Sequence, residues 1–187
     1  MPAFKELPLK TPRLRLRPAR EDDAQALLEI FAEPEVTRYW SAAAWTDITQ
    51  ARERIARDLR GLESGDDLVL MIERAEDARL LGRCTLFRID RECRRAEIGY
   101  ALARPAWGQG YMNEALDALL RYGFEQLNLN RVEADVDPRN TGSTRALERL
   151  GFRQEGLLRE RWIVMDEVSD SAMFGLLRAE WMRQSAR

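Results

Sequence analysis

Leu14 and Leu16 alternate with Arg13, Arg15 and Arg17, the period-two pattern of a half-buried strand. Downstream the spacing lengthens. Ala24, Leu27, Leu28 and Phe31 share one face of a helix that Asp22 or Asp23 can cap. Asp47 and Gln50 stand at capping-box spacing and open a second helix, with Ile48, Ala51, Ile55, Leu59 and Leu62 as its apolar face. Residues 68–72 are a continuous apolar run, as in a buried strand, and residues 80–87 supply its partner. Ala96, Ile98, Tyr100 and Leu102 alternate with polar or small residues and give another strand. Helical spacing returns at Met112, Ala115, Leu116, Leu119, Gly123 and Leu127, and period two at Val132, Ala134 and Val136. A short helix carries Ala146, Leu147 and Leu150, with Gly151 placed to end it. Two strands near 152–164 and 170–177 close the pattern.

The predicted order is strand, two helices, three strands, helix, strand, helix, two strands. That is an α/β fold: a mixed sheet of about seven strands with about four helices packed on its faces. The 187 residues suit a single domain, 1–187, without repeats or long linkers.

Composition narrows the chemistry. The chain has no histidine, which excludes a Ser-His-Asp triad, a Cys-His pair and a His-ligated metal, so no metal is expected. Acid–base work would fall to carboxylates, hydroxyls, backbone groups or water. The net charge is −2, and the arginines are interleaved with Asp and Glu, so no nucleic-acid partner is expected. Cys84 and Cys93 make neither a disulfide framework nor a metal motif, which points to the reducing cytoplasm. No signal-like core and no long apolar window stand in the sequence, so neither export nor membrane insertion is expected.

One segment carries a ligand signal. Residues 105–112 read P-A-W-G-Q-G-Y-M, between a strand and a helix. Gly108 and Gly110 remove Cβ atoms where the chain turns, so successive N–H groups can point into one concavity. The helix N-terminus behind them adds unsatisfied donors and a positive dipole end, a setting for phosphate. A tight turn without ligand explains the glycines as well. The dinucleotide pattern G-x-G-x-x-G fails at Asn113, and the P-loop fails for want of a lysine.

These residues resemble the GNAT acetyltransferase superfamily, whose cofactor signature is [QR]-x-x-G-x-[GA]. Pro105 stands at the first position, a departure shared with the Rim-type N-alpha-acetyltransferases of ribosomal proteins. The wording of that subgroup is matched by Trp107, Gly108, Gly110, Tyr111, Glu114 and Ala115. Further matches follow in order: L-x-T-x-R-L-x-L-R-P at 9–18, E-I-G-Y at 97–100, then Asn140, Ser143, Leu147, Glu148, Leu150, Gly151, Phe152, Glu155, Gly156, Glu180 and Trp181. The resemblance spans about 9–182 and implies a mostly antiparallel sheet.

The resemblance also implies direct transfer of acetyl from acetyl-CoA to a primary amine, most naturally a protein or peptide N-terminus, possible ribosomal, with a homodimeric assembly. A small-molecule amine or a silent acyl-CoA sensor are the alternatives. It implies that Trp107, Gly108, Gln109, Gly110, Tyr111 and Met112 hold the cofactor with Asn140 and Ser143, and that a main-chain N–H near Leu102 meets the oxyanion. Glu97 is the first candidate base, with a surface ion pair to Arg94 or Arg95 as the equal alternative. Glu160 is the second, flanked by Arg159 and Arg161. Ser143 is a candidate donor to the leaving thiolate, since the family's tyrosine position holds Leu147. Trp40 and Trp45 are candidates for the substrate pocket, with aromatic core as the alternative.

Overall fold

The Leu–Arg alternation near the start becomes strand β2 (Leu14–Arg17), whose Leu14 and Leu16 are buried and whose Arg17 is buried as well. The computed structural model describes residues 4–185. The remaining strands are β1 (Leu9–Lys10), β3 (Leu68–Arg74), β4 (Leu80–Asp90), β5 (Arg95–Leu102), β6 (Arg131–Val136), β7 (Arg153–Val164) and β8 (Glu167–Leu177). The helices are α1 (Ala24–Ala32), α2 (Pro34–Thr37), α3 (Ile48–Ser64), α4 (Tyr111–Glu125), α5 (Thr141–Arg149) and α6 (Arg178–Ser185). One eight-stranded sheet runs β1-β2-β3-β4-β5-β6-β8-β7. All neighbours are antiparallel except β5 and β6, which are parallel and joined through α4.

Each face of the sheet has its own core. On one face Leu70, Cys84, Leu86 and Ile98 pack with Ala115, Leu116 and Leu119 of α4. On the other, Val69, Met71 and Ala101 pack with Leu27 and Phe31 of α1 and Ala51 and Ile55 of α3. The alternation along β3, β4 and β5 divides each strand between the two. Among the described residues no helix is long and apolar enough to cross a membrane.

The architecture is the expected one, with β1, α2 and α6 added. Each is too short to impose a period: two residues, one turn, and a C-terminal helix whose Trp181 is buried. Caps fall mostly as the sequence implies. The N–H of Thr49 donates to Asp47 Oδ1 at 2.7 Å, and Gln50 Oε1 accepts from Asp47 N–H at 3.0 Å. Gly151 follows α5 at φ +88°, a left-handed conformation that favours glycine. Asp23 is the correction. It lies in a short 3-10 turn (Glu21–Asp23), and its carboxylate serves Arg17 rather than the start of α1.

That pairing belongs to a buried ionic group. Arg17 donates to Asp23 at 2.7 and 2.8 Å and to Glu73 at 2.5 Å. All three are nearly inaccessible to water. The two carboxylates push the guanidinium pKa upward through their hydrogen bonds, against the burial that lowers it. Arg17→Leu leaves the buried carboxylates of Asp23 in the 3-10 turn and Glu73 on β3 without their shared guanidinium. It is expected to cost about 3–5 kcal/mol of folding stability, measured as a lowered urea midpoint.

Candidate active site

The site begins where the sheet comes apart. β5 and β6 are in register only from Arg95–Arg131 to Glu97–Glu133. Beyond that pair β6 follows β8 and β5 follows β4, and the two parallel strands separate. The Ala103 N–H donates to Leu81 O of β4 at 2.7 Å. Main-chain direction alternates along a strand, so the groups of Ile98, Tyr100 and Leu102 face the opening instead. The Leu102 carbonyl is taken by the Trp107 indole N–H at 2.7 Å. By the same alternation its N–H points toward the top of the gap.

The glycine loop stands at this end of β5. Gly108 and Gly110 adopt φ +73° and +79°. A Cβ on Gly108 would enter open space, whereas one on Gly110 would meet Arg13 Nη2 at 3.4 Å. Gly110 is the N-cap of α4 and brings no side chain to the leading N–H groups, which stay available to an anion. The turn is braced from outside. Arg13 donates to Gln109 O at 3.0 Å, ion-pairs with Glu114 at 2.6 Å and lies over the Tyr111 ring. Gln109 donates its amide to Pro105 O at 2.8 Å, so its side chain ties the loop to itself. Tyr111 is buried behind the turn, and Met112 packs against the core beneath it.

A cleft of about 670 Å³ opens at the separation of β5 and β6. Residues of both sheet faces line it, so it passes through the sheet. Glu97 and Trp40 lie on one side, and Tyr100, Asn140 and Ser143 on the other. Glu97 pairs with Arg88 Nη1 at 2.7 Å, not with Arg94 or Arg95. The reason is a register shift in β4 between Phe87 and Asp90, with Arg88 at φ +52°, which turns its side chain toward Glu97. Asn140 caps α5 by accepting from the Ser143 N–H at 3.1 Å. Trp40 lines the cleft and packs edge-on against Phe31 at 4.9 Å.

The remaining candidates lie elsewhere. Trp45 packs on Phe31 at 4.5 Å and is outside the lining. Glu160 is exposed in an irregular part of β7, at φ +52°, and also outside it. Its neighbour Arg161 pairs with Asp135 at 3.0 Å. The loop residues 107–112 border the top of β5 rather than the cleft itself. Among the described residues no group of His, Cys, Asp and Glu is arranged to hold a metal.

One residue escaped the sequence reading. Tyr100 Oη lies 2.7 Å from Ser143 Oγ inside the cleft. Burial pushes its pKa up to about 12, opposed in part by that hydrogen bond. In the alternation Tyr100 counts as an apolar core position; its hydroxyl was the available signal.

A parallel strand pair forced open, with a glycine turn and a helix N-terminus at its mouth in a mixed α/β fold, is the arrangement that the acetyltransferase resemblance implies. The family described as acetyltransferase (GNAT) domain matches residues 13–153, and the chain belongs to that family. It is similar to the N-acetyltransferase p20 of Bacillus licheniformis, 42% identical over 92% of this chain and 97% of that protein. It is 31% identical, over 45% of this chain and 43% of that protein, to the [ribosomal protein uS5]-alanine N-acetyltransferase of Escherichia coli. Its structure resembles Mycobacterium smegmatis RimJ in complex with CoA-disulfide, with a TM-score of 0.82, 26% identity and coverage of 100% of this chain and 97% of that one. The chain is thus an acetyl-CoA-dependent N-acetyltransferase.

The cysteines take no visible part. Cys84 is fully buried, and burial pushes its thiol pKa up to about 12; Cys93 is exposed. A thiol reagent is expected to label one cysteine in the native enzyme and both in denaturant. Rapid native labelling of Cys84, read by peptide mass, would contradict this placement.

Proposed function

We propose that the enzyme moves acetyl from acetyl-CoA to the α-amine of a protein or peptide N-terminus, with ribosomal proteins as the first acceptors to examine. The carrying observation is the cleft through the sheet, which puts a carboxylate on one side and a hydroxyl pair on the other. The partial likeness to an alanine N-acetyltransferase of a ribosomal protein supports the acceptor class. Two unpaired thiols support a cytoplasmic setting.

The cofactor site fits in two respects. Gly110 leaves the N-terminus of α4 uncapped for phosphate, and the open edge of β5 offers main-chain groups to an extended pantetheine arm. An α-ammonium, with an ordinary pKa near 8, must shed a proton before it attacks. Glu97 receives that proton, directly or through a water, while Arg88 fixes the carboxylate. The Leu102 N–H meets negative charge developing on the thioester oxygen. As the new C–N bond forms and the C–S bond breaks, sulfur gains charge. Tyr100, oriented by Ser143, donates a hydrogen bond to it. A hydroxyl of pKa about 12 is a weaker acid than a thiol, so Tyr100 steadies the sulfur without surrendering its proton. Of the two protons the ammonium loses, one ends on sulfur and one in solvent.

A homodimer is part of the same reading. The β7–β8 hairpin exposes Leu157, Ile163, Met165 and Val168, with Ile163 at 73% and Met165 at 81%. Such a ridge suits burial against a second copy. Sedimentation is expected to give twice the chain mass for the wild type and a shift toward monomer for Ile163→Asp with Met165→Asp. A monomeric wild type at tens of micromolar would remove the dimer.

The activity is tested in two stages. Acetyl-CoA at about 100 times its Kd is expected to stabilise the protein by about 2.7 kcal/mol, roughly 5 to 10 °C in Tm, while NAD and ATP do not. Glu97→Gln is expected to lower kcat on an acceptor peptide about 10²-fold or more while keeping that thermal shift. Unchanged turnover would take Glu97 out of the chemistry.

A further inference from the structure

Beside Glu97, the floor and wall of the cleft hold donors that the acetyl transfer does not use. On β4, Thr85 stands opposite Gly99 and Arg83 opposite Ala101, on the same face as Glu97. Both line the cleft, with Arg54 and Arg57 of α3. Arg83 is 2% exposed and faces Asp58, with Nη1 3.2 Å from Asp58 Oδ2. Arg54 takes the same carboxylate at 2.9 Å. Two guanidiniums therefore share one counter-charge. The other carboxylates nearby are engaged too: Glu97 with Arg88, and Asp67 with the Arg88 main-chain N–H at 3.1 Å.

Two groups stay unspent. Thr85 is 8% exposed, and its hydroxyl has no hydrogen-bond partner among the described residues. Arg57 lines the cleft without an ion pair among the described residues. A buried hydroxyl without a partner costs free energy unless something arrives to meet it. A hydroxyl and a guanidinium together ask for an anion, and a guanidinium fork fits a carboxylate.

We propose that Thr85 and Arg57, backed by Arg54 and Arg83, form a carboxylate subsite that selects acceptors carrying an acidic side chain just behind the amine. This deepens the N-terminal acetylation reading and rests on it. The geometry sets the spacing. Thr85 is one strand across and two residues along from Glu97, roughly 8 Å by ordinary sheet dimensions. An α-carboxylate lies too close to its own amine to span that distance. An acidic side chain at the second residue of an extended N-terminus spans it.

The test uses two C-terminally amidated peptides, Ser-Asp-Ala-Phe and Ser-Asn-Ala-Phe, with free glutamate as a third acceptor. CoA thiol release gives kcat and KM, with the enzyme's own Cys93 blocked or subtracted. The Asp peptide is expected to have kcat/KM at least ten-fold above the Asn peptide, mainly through KM. Arg57→Gln and Thr85→Val should each bring that ratio to within about two-fold of unity, and Arg57→Lys should keep part of it. Equal rates for the two peptides with the wild type, or variants that lower both alike, would overturn the subsite. Free glutamate outrunning both peptides would keep the carboxylate subsite but move its source to a small acceptor. If no acceptor turns over, the acetylation reading fails separately. The subsite is then decided by calorimetry of the two peptides binding to the CoA-loaded protein, where preference for Asp that vanishes in Arg57→Gln upholds it and no preference ends it.

Discussion

Everything functional in this enzyme follows from two parallel strands that stop pairing. A parallel pair normally satisfies its backbone by continuing side by side. Here β6 is held along its far side by β8 through Val136, and β5 is held by β4 through Leu102. Each strand keeps one partner and loses the other after Glu97 and Glu133. The gap exposes polar backbone in the middle of a sheet, which a protein tolerates only where something polar will occupy it. It also lets one cleft reach residues from both faces, so Glu97 and Tyr100, which point to opposite sides of β5, serve a single space.

The gap also brings together ionisable groups other than histidine, which the chain lacks. They are a carboxylate held by Arg88 and a phenol whose pKa is raised by burial. Main-chain groups of β5 face the same gap, and their polarity does not depend on pH.

Most of the fold was legible because its helices and strands are long enough to repeat their period. The alternation in residues 96–102 and the helical spacing from Met112 to Leu127 each identify an element. The glycine turn was legible because positive φ demands glycine at 108 and 110. What stayed hidden was side-chain partnership across the sheet. Arg88 reaches Glu97 only through a bulge, and no residue count announces a bulge. Tyr100 read as core because alternation sorts residues by face and ignores a hydroxyl at the tip. Asp58 sits on the apolar face of α3 yet is buried against Arg83, a pairing 25 positions apart in sequence. Glu160 looked catalytic from its position in the family pattern, but it lies outside the cleft lining although Trp162 and Val164 of the same strand border the cleft.

The β7–β8 turn is fastened to the body of the enzyme at Glu167, whose carboxylate is shared by Arg38 beyond α2 at 3.0 Å and Arg139 before α5 at 2.6 Å. All three side chains are substantially open to solvent. The mouth of the cleft is thus bordered by ion pairs that stand open to solvent. Salt loosens such pairs while leaving the cores untouched. The strength of the contacts at the entrance therefore varies with the ionic strength of the medium, while the sheet beneath is held by hydrogen bonds and apolar packing that salt does not screen.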